Sequence, residues 1–162
     1  MSTIDAPERE ASPIAGPPPR LLVIQAPYYE KVVGGMREGA AAVFAAAGAA
    51  VEVVDVAGAF ELPAALRMAL AQQAGPRHDG FLILGCVVRG DTDHYDHICR
   101  ETCRGVMDIA VETGAAIGFG LLTVHSLTQA LERAAPGRMN KGAEAAHALL
   151  GQVALRRQWG LG

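Results

Sequence analysis

Phe81-Leu82-Ile83-Leu84-Gly85-Cys86-Val87-Val88-Arg89-Gly90-Asp91-Thr92-Asp93-His94 changes character part-way along. Residues 81–88 are apolar or small with no polar alternation, the pattern of a strand buried on both faces. A short polar turn follows, and then a helical segment from about Thr92 to Thr113, stopped by Gly114. A buried strand, a tight turn and a long helix make half of a βαβ unit.

The same unit recurs on both sides of this stretch. Upstream, Leu21-Leu22-Val23-Ile24 is a short apolar run ending at Ala26-Pro27, where a helix cannot easily continue. Good helix formers run from about Tyr29 to Ala47, with Gly48 as the cap. Gly34 and Gly35 weaken that helix, by roughly 1 kcal/mol each where solvent-exposed. Residues 51–56 read as a β-branched strand, and residues 61–74 as a helix with Pro63 in its first turn. Gly75-Pro76 breaks it. Downstream, residues 117–122 form a fourth strand, and Ser126-Leu127-Thr128-Gln129 has capping-box spacing. Pro136-Gly137 interrupts the helix it opens, and a last helix runs from about Asn140 to Trp159. No internal repeat is visible.

Four strands alternating with helices, each strand apolar on both faces, predict a three-layer α/β/α domain around a four-stranded parallel sheet. Right-handed crossovers make a flavodoxin-like topology the leading one. The chain has 162 residues, enough for one domain, expected over residues 20–162. Residues 1–19 end in Gly16-Pro17-Pro18-Pro19 and read as a flexible N-terminal arm. At 51% hydrophobic residues the chain can build a core, and part of the surplus is expected at a subunit interface. A net charge of -3 gives no general attraction to nucleic acid. No segment approaches the roughly 20 apolar residues of a membrane span, and the N-terminal stretch lacks a signal-peptide pattern, so a cytoplasmic location is expected. Cys86, Cys99 and Cys103 do not read as a disulfide framework. Cys99 and Cys103, four apart on a helix, are expected to be buried.

In a doubly wound sheet, ligands lie beyond the carboxyl ends of the strands. Here those ends carry Tyr28 and Tyr29, then Ala59-Phe60-Glu61, then Arg89 to His94. Gly90 permits close approach, and the helix that follows offers free N–H groups and a positive end to an anion. Thr92 adds a hydroxyl, and His94 transfers protons near neutral pH. The same residues would also serve as a plain helix cap. Glu61 either complements a helix dipole or accepts hydrogen bonds from a polyhydroxy ligand. One of the two tyrosines can stack on a planar ring while the other packs. Arg133, Arg138 and Lys141 cluster around Pro136-Gly137, as a solvated loop or as a phosphate partner. His94, His97 and Cys99 lack the ligand set of a zinc site, and no dinucleotide or Walker-type fingerprint occurs.

Three strings in register resemble the lumazine synthase family: Gly58-Ala59-Phe60-Glu61-Leu62-Pro63; residues 84–95 from Leu84 to Tyr95; and Gln129-Ala130-Leu131-Glu132-Arg133-Ala134 followed by Asn140-Lys141-Gly142-Ala143-Glu144-Ala145-Ala146. The likeness spans about residues 20 to 159. It implies condensation of 5-amino-6-(D-ribitylamino)uracil with 3,4-dihydroxy-2-butanone 4-phosphate to 6,7-dimethyl-8-ribityllumazine, phosphate and water, in riboflavin biosynthesis. It implies no metal and no cofactor. By resemblance, Tyr28 stacks on the pyrimidine, Val87 and Val88 line its site, and Ala59, Phe60 and Glu61 hold the ribityl chain. Gly90, Asp91 and Thr92 face the phosphate, with Arg133 as its charged partner and Lys141 nearby. His94 shuttles protons and Glu144 supports its charge. Phe119 and Arg133 come from a neighbouring subunit of a homopentamer, or a multiple of one. Three positions depart from the pattern: Tyr28 replaces phenylalanine or tryptophan, residues 135–139 lack the usual loop sequence, and Val124-His125 is unusual. Two other readings are a flavin- or lumazine-binding protein without catalysis and a phospho-receiver domain. The second lacks an acidic cluster at the end of its first strand.

Overall fold

Continuous apolar runs with β-branched residues pair side by side because each leaves its backbone groups unsatisfied until a neighbour supplies them. In the computed structural model, which describes residues 14–73 and 77–161, four such runs form one parallel sheet in the order β2-β1-β3-β4. The elements are β1 (Arg20–Gln25), α1 (Glu30–Ala46), β2 (Ala50–Asp55), α2 (Leu62–Ala71), β3 (Gly80–Val88), α3 (His94–Thr113), β4 (Ile117–Val124), α4 (Leu127–Ala134) and α5 (Lys141–Gln158). Single 3-10 turns, Pro27–Tyr29 and Ala59–Glu61, precede α1 and α2. This is the three-layer, single-domain, flavodoxin-like α/β arrangement that the strand–helix alternation predicts.

The strand pleat divides the core in two. On one face Met36, Phe44, Leu149 and Leu150 pack against Leu21, Val23, Leu82 and Leu84. On the other, Leu62, Leu66 and Val106 meet Leu22, Ile24, Phe81 and Ile83. Burial of each large side chain contributes about 1.5–3 kcal/mol. The α1–α5 crossing is unusually close. A Cβ on Gly142 would stand 1.9 Å from the Met36 carbonyl oxygen, so only glycine fits.

Helix ends follow local chemistry. Gly48 takes φ +67° just past α1, as its capping role requires. The Ser126 hydroxyl accepts from the Gln129 N–H at 3.3 Å, and the Gln129 side chain accepts from the His125 N–H at 3.0 Å. That is the capping box, shifted by one residue on its return leg. α2 is shorter than expected, since Gln72 already has an extended backbone (ψ 125°).

One expectation fails at the sheet edge. β2 is exposed along its whole length, with Val51, Val53 and Val54 41–46% accessible. It pairs only with β1, and the helix layers centre on β1 and β3. Of the expected N-terminal arm, residues 1–13 lie outside the described residues. Residues 14–19 follow the body: Arg157 donates to the carbonyls of Ala15 and Pro17 at 2.8 and 2.7 Å, and Pro19 accepts from the Ala50 N–H. Among the described residues no helix is long and apolar enough to cross a membrane.

Candidate active site

The residues singled out from the sequence fall into two groups. The first surrounds the carboxyl ends of β1, β2 and β3. Proline in the turn after β1 fixes a 3-10 bend that turns Tyr28 outward, 77% exposed, with its ring edge-on to Tyr29 at 5.1 Å. Tyr29 packs against the core instead, and burial pushes its hydroxyl pKa up. One ring of the pair is thus exposed and the other packed.

After β2, the turn Ala59–Glu61 is closed by the Glu61 N–H donating to the Gly58 carbonyl at 3.2 Å. Phe60 and Glu61 are exposed. The buried Thr102 hydroxyl donates to the Ala59 carbonyl at 3.1 Å, which ties this turn to α3. Val87 and Val88, half-buried, end β3.

α3 begins at His94, two residues later than expected. Asp93 occupies the cap position with φ -68° and ψ -3°, and its side chain makes no cap bond. Its carbonyl accepts from the N–H groups of Asp96 and His97. The first N–H groups of the helix therefore lack a side-chain cap and point toward an open turn. Gly90, Asp91, Thr92 and His94 are all exposed. Gly90 has an ordinary backbone, and nothing lies within 4 Å of where its Cβ would be. The open space there suits close approach of a ligand, and the fold of this chain does not itself demand glycine. Arg89 is not free for an anion: its fork reaches Asp96 at 3.0 and 3.3 Å.

The second group lines a cleft of about 320 Å³ beside the free edge of β4. Phe119, Thr123, Arg133, Lys141 and Glu144 are in its wall. Phe119 is 39% exposed. Lys141 donates to the Glu144 carboxylate, one helical turn away. Arg133 donates to the Gln129 carbonyl at 3.0 Å and keeps 34% of its side chain accessible.

Strand register separates the two groups. Phe119 pairs with Ile83, whereas Val88 pairs with Val124. At about 3.3 Å per residue, the five-residue offset puts Phe119 roughly 16 Å down the sheet from Val88. Within one chain, Phe119 does not reach the pyrimidine-side residues. Glu144, expected beside His94, sits with Lys141 in the second group.

The cysteine expectation is corrected. Cys99 is half-buried and Cys103 exposed, because the face they share lies at the flank of α3 rather than under it. Cys86, inside β3, is the buried thiol, and burial pushes it up to about 11.

Comparison with known proteins decides the family. The model of the 6,7-dimethyl-8-ribityllumazine synthase family matches residues 18–157. The chain belongs to the 6,7-dimethyl-8-ribityllumazine synthase family. A protein of that name from Paramagnetospirillum magneticum is 44% identical over 146 residues, covering 88% of this chain and 97% of the relative. One from Nitrobacter winogradskyi is 39% identical over 155 residues, 94% of each chain. A protein from Rhodopseudomonas palustris, named 6,7-dimethyl-8-ribityllumazine synthase 1, matches to the same extent. The family match takes in both groups of site residues, from Tyr28 to Glu144.

Two features of the site were missed in the sequence. Asn140 is 2% exposed and bonds three carbonyls and an N–H at the α4–α5 junction. Its signal was an asparagine directly before a helix. The Arg89–Asp96 pair had no sequence signal short of knowing how the intervening turn bends.

Proposed function

We propose that this chain forms 6,7-dimethyl-8-ribityllumazine from 5-amino-6-(D-ribitylamino)uracil and 3,4-dihydroxy-2-butanone 4-phosphate in the cytoplasm. The observation that carries the reading beyond the family name is the division into two half-sites. One lies at the strand ends and one on the open edge of β4, each exposed and each chemically incomplete. A second copy placed beside β4 would join its own strand-end group to Phe119, Arg133 and Lys141 of this one.

In the joined site Tyr28 stacks on the pyrimidine, between Val87, Val88 and Phe119 of the neighbour. Glu61 accepts hydrogen bonds from the ribityl hydroxyls, with Ala59 and Phe60 alongside. The free N–H groups ahead of α3, with Gly90, Asp91 and Thr92, bind the phosphate, and Arg133 neutralises it. The pyrimidine amine then attacks the ketone, water leaves, phosphate is eliminated and the ring closes. Each step needs held reactants and proton transfer. His94 is the proton-transfer group of the strand-end half, and Glu144 supports its charge from the other. Incubation of the purified protein with both substrates should give the fluorescent lumazine. Pyrimidine binding without lumazine would overturn the proposal in favour of a binding protein.

Arg133→Ala should raise KM for the butanone phosphate about 10- to 100-fold, the range of a lost charge-assisted hydrogen bond. Affinity for the pyrimidine should change no more than about twofold. Equal losses for both would make Arg133 structural.

The same half-sites require a homo-oligomer. Exposed Val51, Val53 and Val54 on β2, and Met68, Met107 and Val111 on α2 and α3, are apolar surface for such contacts. Light scattering should give five times the 16.9 kDa of one chain, or a multiple of that. A monomer at working concentration would contradict the shared site.

A further inference from the structure

Arg89 stands where the sequence would have it face the anion, yet its side chain is already committed. Its backbone N–H donates to the Val124 carbonyl at 2.9 Å, extending the β3–β4 ladder one residue past the strand. From that anchor the side chain passes over the polar turn. Its two terminal nitrogens reach the two carboxylate oxygens of Asp96 at 3.3 and 3.0 Å. The guanidinium carbon also lies 5.1 Å from the Tyr95 ring centroid. Tyr95 is half-buried, and burial pushes its hydroxyl pKa up. So the first turn of α3 is tied back to the ends of both β3 and β4 through Arg89, Asp96 and Tyr95.

His94 is the first residue of that turn, and no group among the described residues holds its imidazole. The turn before it has no side-chain cap either, since Asp93 makes none. We infer that Arg89 is a positioning residue: its fork on Asp96 and its stacking on Tyr95 set the place of the helix end, and hence of the His94 ring. This rests on the role proposed for His94. A lysine at this position would keep the charge but lose both the fork and the stacking. The Arg89 and Asp96 side chains are 44% and 43% exposed, so the pair contributes little to stability. Its effect is on geometry, where a displacement of about 1 Å can cost on the order of a hundredfold in rate.

The test is a kinetic cycle on the full-length protein with Arg89→Lys, Arg89→Ala, Asp96→Asn, and Arg89→Ala combined with Asp96→Asn. Each single variant should lower kcat about 10- to 100-fold, with both KM values within about threefold. The double variant should be no slower than the slower single, because the two act as one unit. Melting temperatures should move by no more than about 4 °C. The His94 ring signals in NMR spectra of the substrate-free protein should shift in Arg89→Lys and in Asp96→Asn. A raised KM for the butanone phosphate in Arg89→Ala, with Asp96→Asn unaffected, would make Arg89 a phosphate ligand and overturn the inference. Unchanged kcat in Asp96→Asn would overturn it as well, and that variant keeps the test open should Arg89→Ala not fold. The His94→Ala variant separates the two readings. Full activity there removes the catalytic role of His94, while the ring signals still report the clamp. Loss of activity there, with normal Arg89→Lys, removes the clamp alone.

Discussion

Asn140→Ala should lower stability by roughly 3 to 5 kcal/mol, the sum expected for one lost helix cap and two or three orphaned carbonyls. The side chain is 2% exposed at the point where α4 ends and α5 begins. Its Oδ1 accepts from the Ala143 N–H at 3.0 Å and caps α5. Its Nδ2 donates to the carbonyls of Ala134, Gly35 and Ala135 at 2.8, 2.9 and 3.2 Å. One side chain therefore joins α1, α4 and α5. Alanine leaves the carbonyls without a donor and opens a hole against Gly39, which approaches so closely that a Cβ there would lie 2.2 Å from the Asn140 Oδ1. Thermal unfolding should show a midpoint lower by about 10 °C, given 2–4 °C per kcal/mol for a chain of this size. Asn140→Asp should be no milder, although it keeps the cap, since it sets a carboxylate against three carbonyl oxygens. A loss under about 1 kcal/mol in both variants would mean that neighbouring groups re-satisfy the junction. The consequence reaches function because Arg133 and Lys141 stand on either side of this hub.

The parts of the fold that sequence patterns reveal are those set by local chemistry. Gly48, and Ser126 with Gln129, mark helix ends by capping rules that involve only near neighbours. The buried run from Phe81 to Val88 identifies a central strand because two covered faces require two apolar faces. The exposure of β2 was illegible for the converse reason. An exposed edge strand can carry the same valines as an interior one. Gly35 and Gly39 illustrate a related limit. As residues of an isolated helix they only weaken it, but in the structure they give Ala134 and Asn140 room to approach α1. For the site, the turn after β3 was visible as a motif, whereas the offset that separates Phe119 from Val88 depends on register between β3 and β4. Register is a tertiary property, and no spacing along the chain encodes it directly. The same holds for Arg89 and Asp96, seven residues apart and joined only because the intervening turn folds back.

His94→Ala should reduce kcat about 10²- to 10⁴-fold, the range for removal of a general acid–base. Pyrimidine affinity should stay within about threefold, because Tyr28 and Glu61, proposed above to hold that substrate, follow other strands. The structure supplies the conditions for such a split. The imidazole is exposed at the helix end, beside N–H groups without a side-chain cap, and among the described residues no partner competes for its nitrogens. A proton can thus move between the ring and the leaving group without first breaking a bond in the resting protein. If instead His94→Ala weakened pyrimidine binding and left the single-turnover rate unchanged, the histidine would be a contact residue. Proton transfer would then fall to solvent or to the phosphate of the substrate itself. A full loss of turnover with intact binding leaves no such room. The turn that opens α3 would then bind the anion with its backbone, while the first side chain of the helix moves the proton.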